Sequence, residues 1–466
     1  MPKNLTSGSP WKVIVIFAIP LLLGNVVQQS YQVIDAMVVG QHLGVNALAA
    51  VGSTGALMFL LLGFAWGMTS GFAIPTAQAI GAGDMKAVRR SVAAGTILTA
   101  VFAAAITVLG VTFARQLLTL LQTPAELVDR ATTFATISFA GAAATMFFNY
   151  LSAIIRAKGD SRTPLVFLVI SCFINIGLVI LFVQILGMGV GGAALATVTA
   201  QLVSVVLCLG YIRRSVPEFG VRREDWIESR LVMAQHLRIG VPTGFQASII
   251  AIGTLSVQVR LNLLGADAVA AYTTATRVDG LAIAFLASLG LAVSTFVAQN
   301  YGAQKISRIM VGVRQGTLIA IATAAVMGAV MITFGEQIIE MFIGRGHDAV
   351  ISMAHEYLAI NGLFYFALGI LFATRGALQG LGRVLIPTIS GVLELVMRVG
   401  AAIILAGFMG FSGIVWASPL AWVGAAVLLL PSWVMARRHL ARDAAQAEAE
   451  REHIDAQYSE VAPATA

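Results

Sequence analysis

Long apolar runs recur along the chain, separated by short polar or basic segments. Twelve can be drawn, near 13–36, 47–78, 91–113, 131–155, 164–186, 189–212, 240–264, 268–298, 311–335, 350–374, 385–408 and 412–436. Each holds about 20 residues or more, roughly what a helix needs to cross a hydrocarbon core about 30 Å thick. The runs are continuously apolar rather than alternating residue by residue, which argues against the strands of a transmembrane barrel. The pattern predicts an all-α integral membrane protein with twelve transmembrane helices. Composition agrees: 58% of residues are hydrophobic, 11% are charged, and mean hydropathy is +0.87. An ordinary soluble domain is about 25% charged, so this chain lacks the polar surface to coat a globule in water.

The net charge of +7 changes little once its position is considered. Of the 29 Lys and Arg residues, 23 fall in the two termini and the segments after the even-numbered runs, counting Arg314 at the very start of the ninth run with the segment before it. Arg115, Arg130 and Arg345 fall on the other side, and Arg260, Arg277 and Arg398 within or near the runs. The excess of cations on one side predicts that both termini are cytoplasmic, in a multi-pass protein of the plasma (inner) membrane. The basicity is topological and calls for no nucleic-acid partner. Cys172 and Cys208 both lie in apolar runs, so no disulfide framework is expected. The first run is too long, and lacks the small-residue pattern, for a cleavable signal.

The chain also repeats itself. "QAIGAGDMKAVRRSVAAG" from Gln78 aligns without a gap on "QNYGAQKISRIMVGVRQG" from Gln299, an offset of 221 that also places "GVNALAAV" on "GADAVAAY". "KGDSRTP" ending at Pro164 matches "QGLGRVLIP" ending at Pro387, at an offset of 223. Six runs per half is an even number, so both halves enter the membrane from one side. Two parallel six-helix lobes are expected, spanning 1–212 and 239–436. A charged cytoplasmic linker at 213–238 joins them, and a polar cytoplasmic tail follows at 437–466.

One stretch of the first run is unlike the rest. In "GNVVQQSYQVIDAMVVGQ", Asn25, Gln28, Gln32 and Asp35 share an arc of about 80° on a helix. Such a stripe belongs against other helices or a wet cavity. The amides can serve simply as interhelical glue, whereas an intramembrane carboxylate generally marks an ion or substrate route.

"PLLLGN" from Pro20, "IDAMVVGQHLGVNALAAVG", "RAKGDSRTP", "FINIG" and "GGAALAT" resemble the multidrug and toxic compound extrusion (MATE) transporters. "VPTGFQ", "VAQNYGAQ" and "ALQGLGR" continue the resemblance through the second half, over residues 10–436 in all. It implies a two-lobe secondary transporter that exports lipophilic, often cationic drugs or toxic metabolites in exchange for protons or sodium. The acid in the first helix points to the DinF-like branch, whose cation site lies in the N-terminal lobe. By that resemblance Asp35, Asn175, Thr197 and Asn149 form the cation-coupling set. One position departs: the branch carries a second aspartate four residues after the asparagine, and here it is Val179. A single carboxylate among apolar neighbours is expected to take up a proton. The coupling ion is therefore expected to be H+, with Na+ at the Asp35 site as the alternative and no other metal or cofactor.

For the substrate cavity the candidates are Gln28, Gln32, Tyr31, Phe147, Gln246, Arg277 and Asp279, with Met37, Phe59, Phe148 and Gln258 as further lining. Flat lipophilic cations would suit the aromatics and methionines. Arg277 and Asp279 are two apart, do not face each other, and need partners elsewhere. Glu394 and Arg398, at i and i+4 in "LELVMR", are expected to form an ion pair, as a structural clamp or a second coupling element. "GAGDMK" lacks the Walker spacing for ATP, and His347 and His355 lack further metal ligands at suitable spacing. The partners expected are small molecules and the lipid bilayer, with no obligate protein partner. A lipid or lipid-linked oligosaccharide flippase is the alternative function. A membrane-embedded glycosyltransferase is the second, although no acidic or histidine cluster near an interface supports it.

Overall fold

A computed structural model describes residues 4–344 and 346–461, with some side chains undescribed, among them Gln258 and most beyond Gln446. The first half contains α1 (Pro10–Leu43), α2 (Val45–Ala82), α3 (Met85–Leu120), α4 (Ala125–Ala140), α5 (Ala142–Ala157), α6 (Arg162–Val179) and α7 (Gly189–Ser215). A short α8 (Arg223–Glu228) lies in the linker. The second half contains α9 (Arg230–Asn262), α10 (Ala266–Gly302), α11 (Ile306–Ile343), α12 (Asp348–Gly380), α13 (Leu385–Met409), α14 (Phe411–Val415) and α15 (Ala417–Val461).

Ten of these helical segments are long and apolar enough to span a membrane. α4 and α5 supply an eleventh, bent by 47° at their junction. α9, 33 residues long and packed between α2 and α13, completes the twelve. The fourth apolar run is thus two helices and not one. Gly141 sits at the break, where an added Cβ would run into the side chain of Val198 on α7. Beyond Val179, α6 continues as a π-helical turn, Ile180–Ile185. The polar tail extends the last helix to Val461.

The repeat has a local cause at its turns. Gly44 and Gly265, related by the 221 offset, have φ of 81° and 97° and join successive helices in each half. A side chain would oppose that conformation at both places. The linker is held down by charge: Arg89 pairs with Asp225 at 3.0 Å, Lys86 with Glu228 at 3.3 Å, and Arg90 also with Glu228. Arg90 first, and then Lys86, keep the Glu228 carboxyl below the usual carboxylate range.

The decisive packing lies at the end of the bundle where α1 begins, here called the base. There the repeated "Q-x-x-G" segments of α2 and α10 meet each other. A Cβ on Gly81 would strike the carbonyl of Gln299, and a Cβ on Gly302 would strike the carbonyl of Gln78. The glutamine side chains reach across in the same reciprocal way. Gln78 Nε2 donates to the Gly380 carbonyl at 2.9 Å, and Gln299 Nε2 donates to the Ala157 carbonyl at 2.6 Å. The amino-terminal segment is tied over this contact. Leu5 N donates to Gln299 Oε1, Lys305 Nζ to the Thr6 carbonyl, and Arg308 to the carbonyls of Leu5, Ser7 and Gly8. Packing crosses the sequence halves here: Val13, Ile14, Phe17, Ala18 and Leu21 of α1 join the apolar core built mainly by α10, α11 and α12.

Gly81→Ala forces the two backbones apart, and overpacking of this kind costs about 1–3 kcal/mol. The melting temperature of the detergent-purified protein is expected to fall. Gly52→Ala, at a helical site with nothing within 4 Å of the added Cβ, is expected to leave it near wild type.

Candidate transport cavity and coupling site

A cavity of about 300 Å³ opens between the two halves, lined from α1, α2, α5, α6, α7, α9, α10 and α12. Its walls include Leu21, Trp66, Phe148, Leu165, Leu291 and Phe372, and its polar groups are mostly neutral amides and hydroxyls. Asn25 on α1 donates to Ser288 Oγ on α10 at 3.1 Å, joining the halves along one wall. Gln246 on α9 accepts from Gln379 Nε2 at 2.9 Å and donates to the Pro387 carbonyl at 2.6 Å.

Of the residues expected from the sequence, Gln28, Tyr31, Asn149, Asn175, Thr197 and Gln246 line this cavity, as does Phe148. Gln32, Phe147, Arg277 and Asp279 are not among its lining residues. The sequence placed Gln32 on the arc of Gln28, but it stands one turn further along α1 and about 100° round from the lining Tyr31, and its side chain is exposed outside the cavity. Phe147 gives way to Phe148 for the same reason. Met37 and Phe59 are exposed and do not line it either. Gln258 lies outside the described side chains.

Tyr31, Asn175 and Thr197 form a linked group in the cavity wall, with Asp35 close to Tyr31 but not bonded to the group. Tyr31 Oη donates to Thr197 Oγ1 at 3.1 Å, and Asn175 Nδ2 donates to the same oxygen at 3.3 Å. Thr197 donates to the Ala193 carbonyl of its own helix at 3.2 Å. Asp35 lies one turn beyond Tyr31 on α1. Its Oδ1 is buried and without a hydrogen-bond partner, and so is Asn175 Oδ1. Beyond them Val39 and Val179 pack into one apolar cluster with Val183, Val190 and Ala193. The position where the resemblance called for a second acid is therefore a sealed hydrocarbon contact. Val179 is 1% exposed.

A sequence model of the MatE family matches residues 20–181 and 242–420, both halves of the repeat. The chain belongs to the MatE family. It is a multi-pass membrane transporter and not an enzyme. Two relatives from Bacillus subtilis are each named a probable multidrug resistance protein. YoeA is 30% identical over 403 residues, covering 84% of this chain and 86% of that one. YpnP is 28% identical over 414 residues, covering 88% and 92%. The fold matches the crystal structure of a MATE protein in complex with MaL6, with a TM-score of 0.88 and 24% identity over 94% of this chain and 99% of that one.

Of the charged groups expected to pair, Glu394 finds another partner. Glu394 pairs with Arg375 of α12 and not with Arg398, and Arg375 also donates to Ser390 Oγ at 3.3 Å. The i, i+4 spacing permits the pair on one helix, but a guanidinium on the facing helix reaches Glu394 without leaving the interior. Arg398 packs near Gly253 on α9, with its Nε buried and unpartnered. Arg375 went unrecognised because the tenth apolar run was ended at residue 374, which counted this cation as a loop charge. In fact α12 runs on to Gly380, and Arg375 is 5% exposed. Asp279 and Arg277 do part company, as their spacing requires. Asp279 is buried in the second half, accepting from Tyr357 Oη at 2.9 Å and Tyr365 Oη at 2.5 Å, while Arg277 is exposed.

Removing one partner of a buried ion pair leaves an uncompensated charge, at a cost of about 3–5 kcal/mol. Glu394→Gln is expected to destabilise the protein by that order, read as loss of monodisperse protein on heating in detergent. The double variant Arg375→Met with Glu394→Leu is expected to recover most of the loss.

Proposed function

We propose that this MatE protein is a proton-coupled multidrug efflux antiporter of the plasma (inner) membrane, working by alternating access with both termini cytoplasmic. The buried, unpartnered Asp35 carboxylate oxygen carries this reading. It lies one helical turn from Tyr31, which both lines the cavity and bonds Thr197. In that arrangement a proton arriving at Asp35 removes a buried charge and leaves a group that can donate. α1 then settles differently against α6 and α7, and Asn25, Gln28 and Tyr31 shift with it in the cavity wall. Proton and drug thereby favour opposite arrangements of one helix, and the coupling needs no direct contact between them.

On this reading the base is the cytoplasmic gate, shut here by the Gln78 and Gln299 bonds. Export of lipophilic drugs is supported by the names of the Bacillus subtilis relatives and by the apolar, aromatic cavity walls. The membrane potential contributes about 2.3 kcal/mol per net charge moved at 100 mV, enough to drive accumulation when exchange is electrogenic. A sodium ion is the rival coupling ion. It would draw on Asp35 Oδ1, Asn175 Oδ1 and the hydroxyls of Tyr31 and Thr197, but the apolar Val179 offers it no second carboxylate.

Ethidium efflux from cells decides between the two ions when the driving gradient is switched from proton to sodium. Proton-driven efflux at wild-type protein levels, sensitive to a protonophore and abolished in Asp35→Asn, is the expected outcome. Val179→Asp is expected to introduce sodium dependence. Wild-type efflux from Asp35→Asn would remove the coupling proposal.

A further inference from the structure

The charge balance of the cavity points to a substrate chemistry that drug export alone does not specify. Among the described residues its lining contains two cations, Arg156 and Arg375, and no aspartate or glutamate. Arg375 is neutralised by Glu394. Arg156, near the end of α5, forms no ion pair among the described residues, although its neighbours at the base do. Lys158, two residues on, pairs with Glu218 at 2.5 Å.

Asp160, at i+4 from Arg156, is taken up by other groups. It accepts from Arg162 N, from Thr163 N and Oγ1, and from Tyr211 Oη at 2.8 Å. Burial alone would push this carboxyl up, but the bonds from Thr163, Tyr211 and Arg162 outweigh it and hold it below the usual range. One turn before Arg156 on the same face of α5, Ser152 is 3% exposed and lines the cavity, and its hydroxyl lies near the Cys208 thiol without forming a well-aligned hydrogen bond.

We infer that Arg156 and Ser152 form an anion subsite at the floor of the cavity, which takes the carboxylate, phosphate or sulfonate of an amphipathic substrate. Above it, Phe148, Leu165, Leu168 and Leu291 receive the apolar body. The site is placed to influence the base. Arg156 adjoins Ala157, whose carbonyl receives Gln299, and Gln379 across the floor adjoins Gly380, whose carbonyl receives Gln78. An anion drawn onto Arg156 therefore bears on the same backbone that the cross-lobe bonds hold. This assignment rests on the proposed export role for its substrate class, but its binding chemistry stands apart from the coupling ion.

The test uses full-length protein purified in a non-ionic detergent. It titrates a lipophilic aryl carboxylate against its own methyl ester, followed by quenching of tryptophan fluorescence, since Trp66 lines the cavity. A charge-assisted contact of this kind is worth about tenfold or more in affinity. The wild type is expected to prefer the acid over the ester by at least that factor. Arg156→Gln is expected to erase the preference, and Arg156→Lys to retain most of it.

Short-chain phosphatidylglycerol forms a competing arm. Displacement of the acid by this lipid identifies a lipid headgroup as an occupant of the subsite, and lack of displacement assigns the subsite to soluble amphipathic anions. Equal binding of acid and ester to the wild type, binding of neither, or a preference that survives Arg156→Gln each overturns the subsite. The wild-type comparison decides even where a variant fails to fold. Ethidium efflux measured alongside separates the failures, because its loss counts against the export role and leaves the acid–ester comparison standing.

Discussion

Two helices approach at the base until backbone touches backbone, and the cavity exists because they do. Gly81 and Gly302 leave room for the carbonyls of Gln299 and Gln78, and the same two glutamines turn their side chains across to Ala157 and Gly380. Each contact is repeated by the other half of the chain. Buried amides in hydrocarbon surroundings must find partners, and here those partners lie on the opposite half. A mid-membrane space closed below by such bonds can hold a solute away from one face of the membrane. Opening that face means breaking at least two hydrogen bonds and separating two tightly packed helices. Bound groups elsewhere can bias this step only by favouring one arrangement over the other.

The interior charges divide into two kinds. Arg375 with Glu394, and Asp279 with its two tyrosines, are satisfied within one half and act as fixed points of the packing. Asp35, Arg156 and Arg398 form no ion pair among the described residues, and Asp35 and Arg156 differ from Arg398 in belonging to helices that line the cavity. Asp35 lies one turn beyond the cavity-lining Tyr31, and Arg156 lines the floor. A charge without an internal partner is costly to keep in a membrane, and these two belong to the helices that frame the solute space. On the proposed reading Asp35 is the place for the proton and Arg156 the place for an anion, so the two need not touch to compete through the arrangement of α1.

Much of this organisation was legible in the sequence. Twelve apolar runs, the 221 and 223 offsets, and the motifs shared with the MATE transporters led to the fold, and the family assignment agrees. The stripe of α1 led to Asn25 and Gln28 in the cavity wall, and Tyr31, proposed with the aromatics, proved to join the motif residues Asn175 and Thr197. What could not be read was which helix faces which. Spacing along one helix paired Glu394 with Arg398, but the true partner comes from α12. Gln32 and Phe147 each lie one helical step from a lining position, and a sequence cannot fix rotation that finely without knowing the neighbours. Arg156 and Arg375 stood at the ends of apolar runs and were counted as topological charge. The helices simply continue past the point where hydropathy falls, and carry both cations inside.

The central claim is that drug and proton are exclusive through one carboxylate, and proton release on binding tests it most directly. Adding ethidium to purified protein in weakly buffered detergent near neutral pH is expected to acidify the solution with wild type and not with Asp35→Asn, although both bind the dye. Equal proton release from the two proteins, or none from either, would contradict the account.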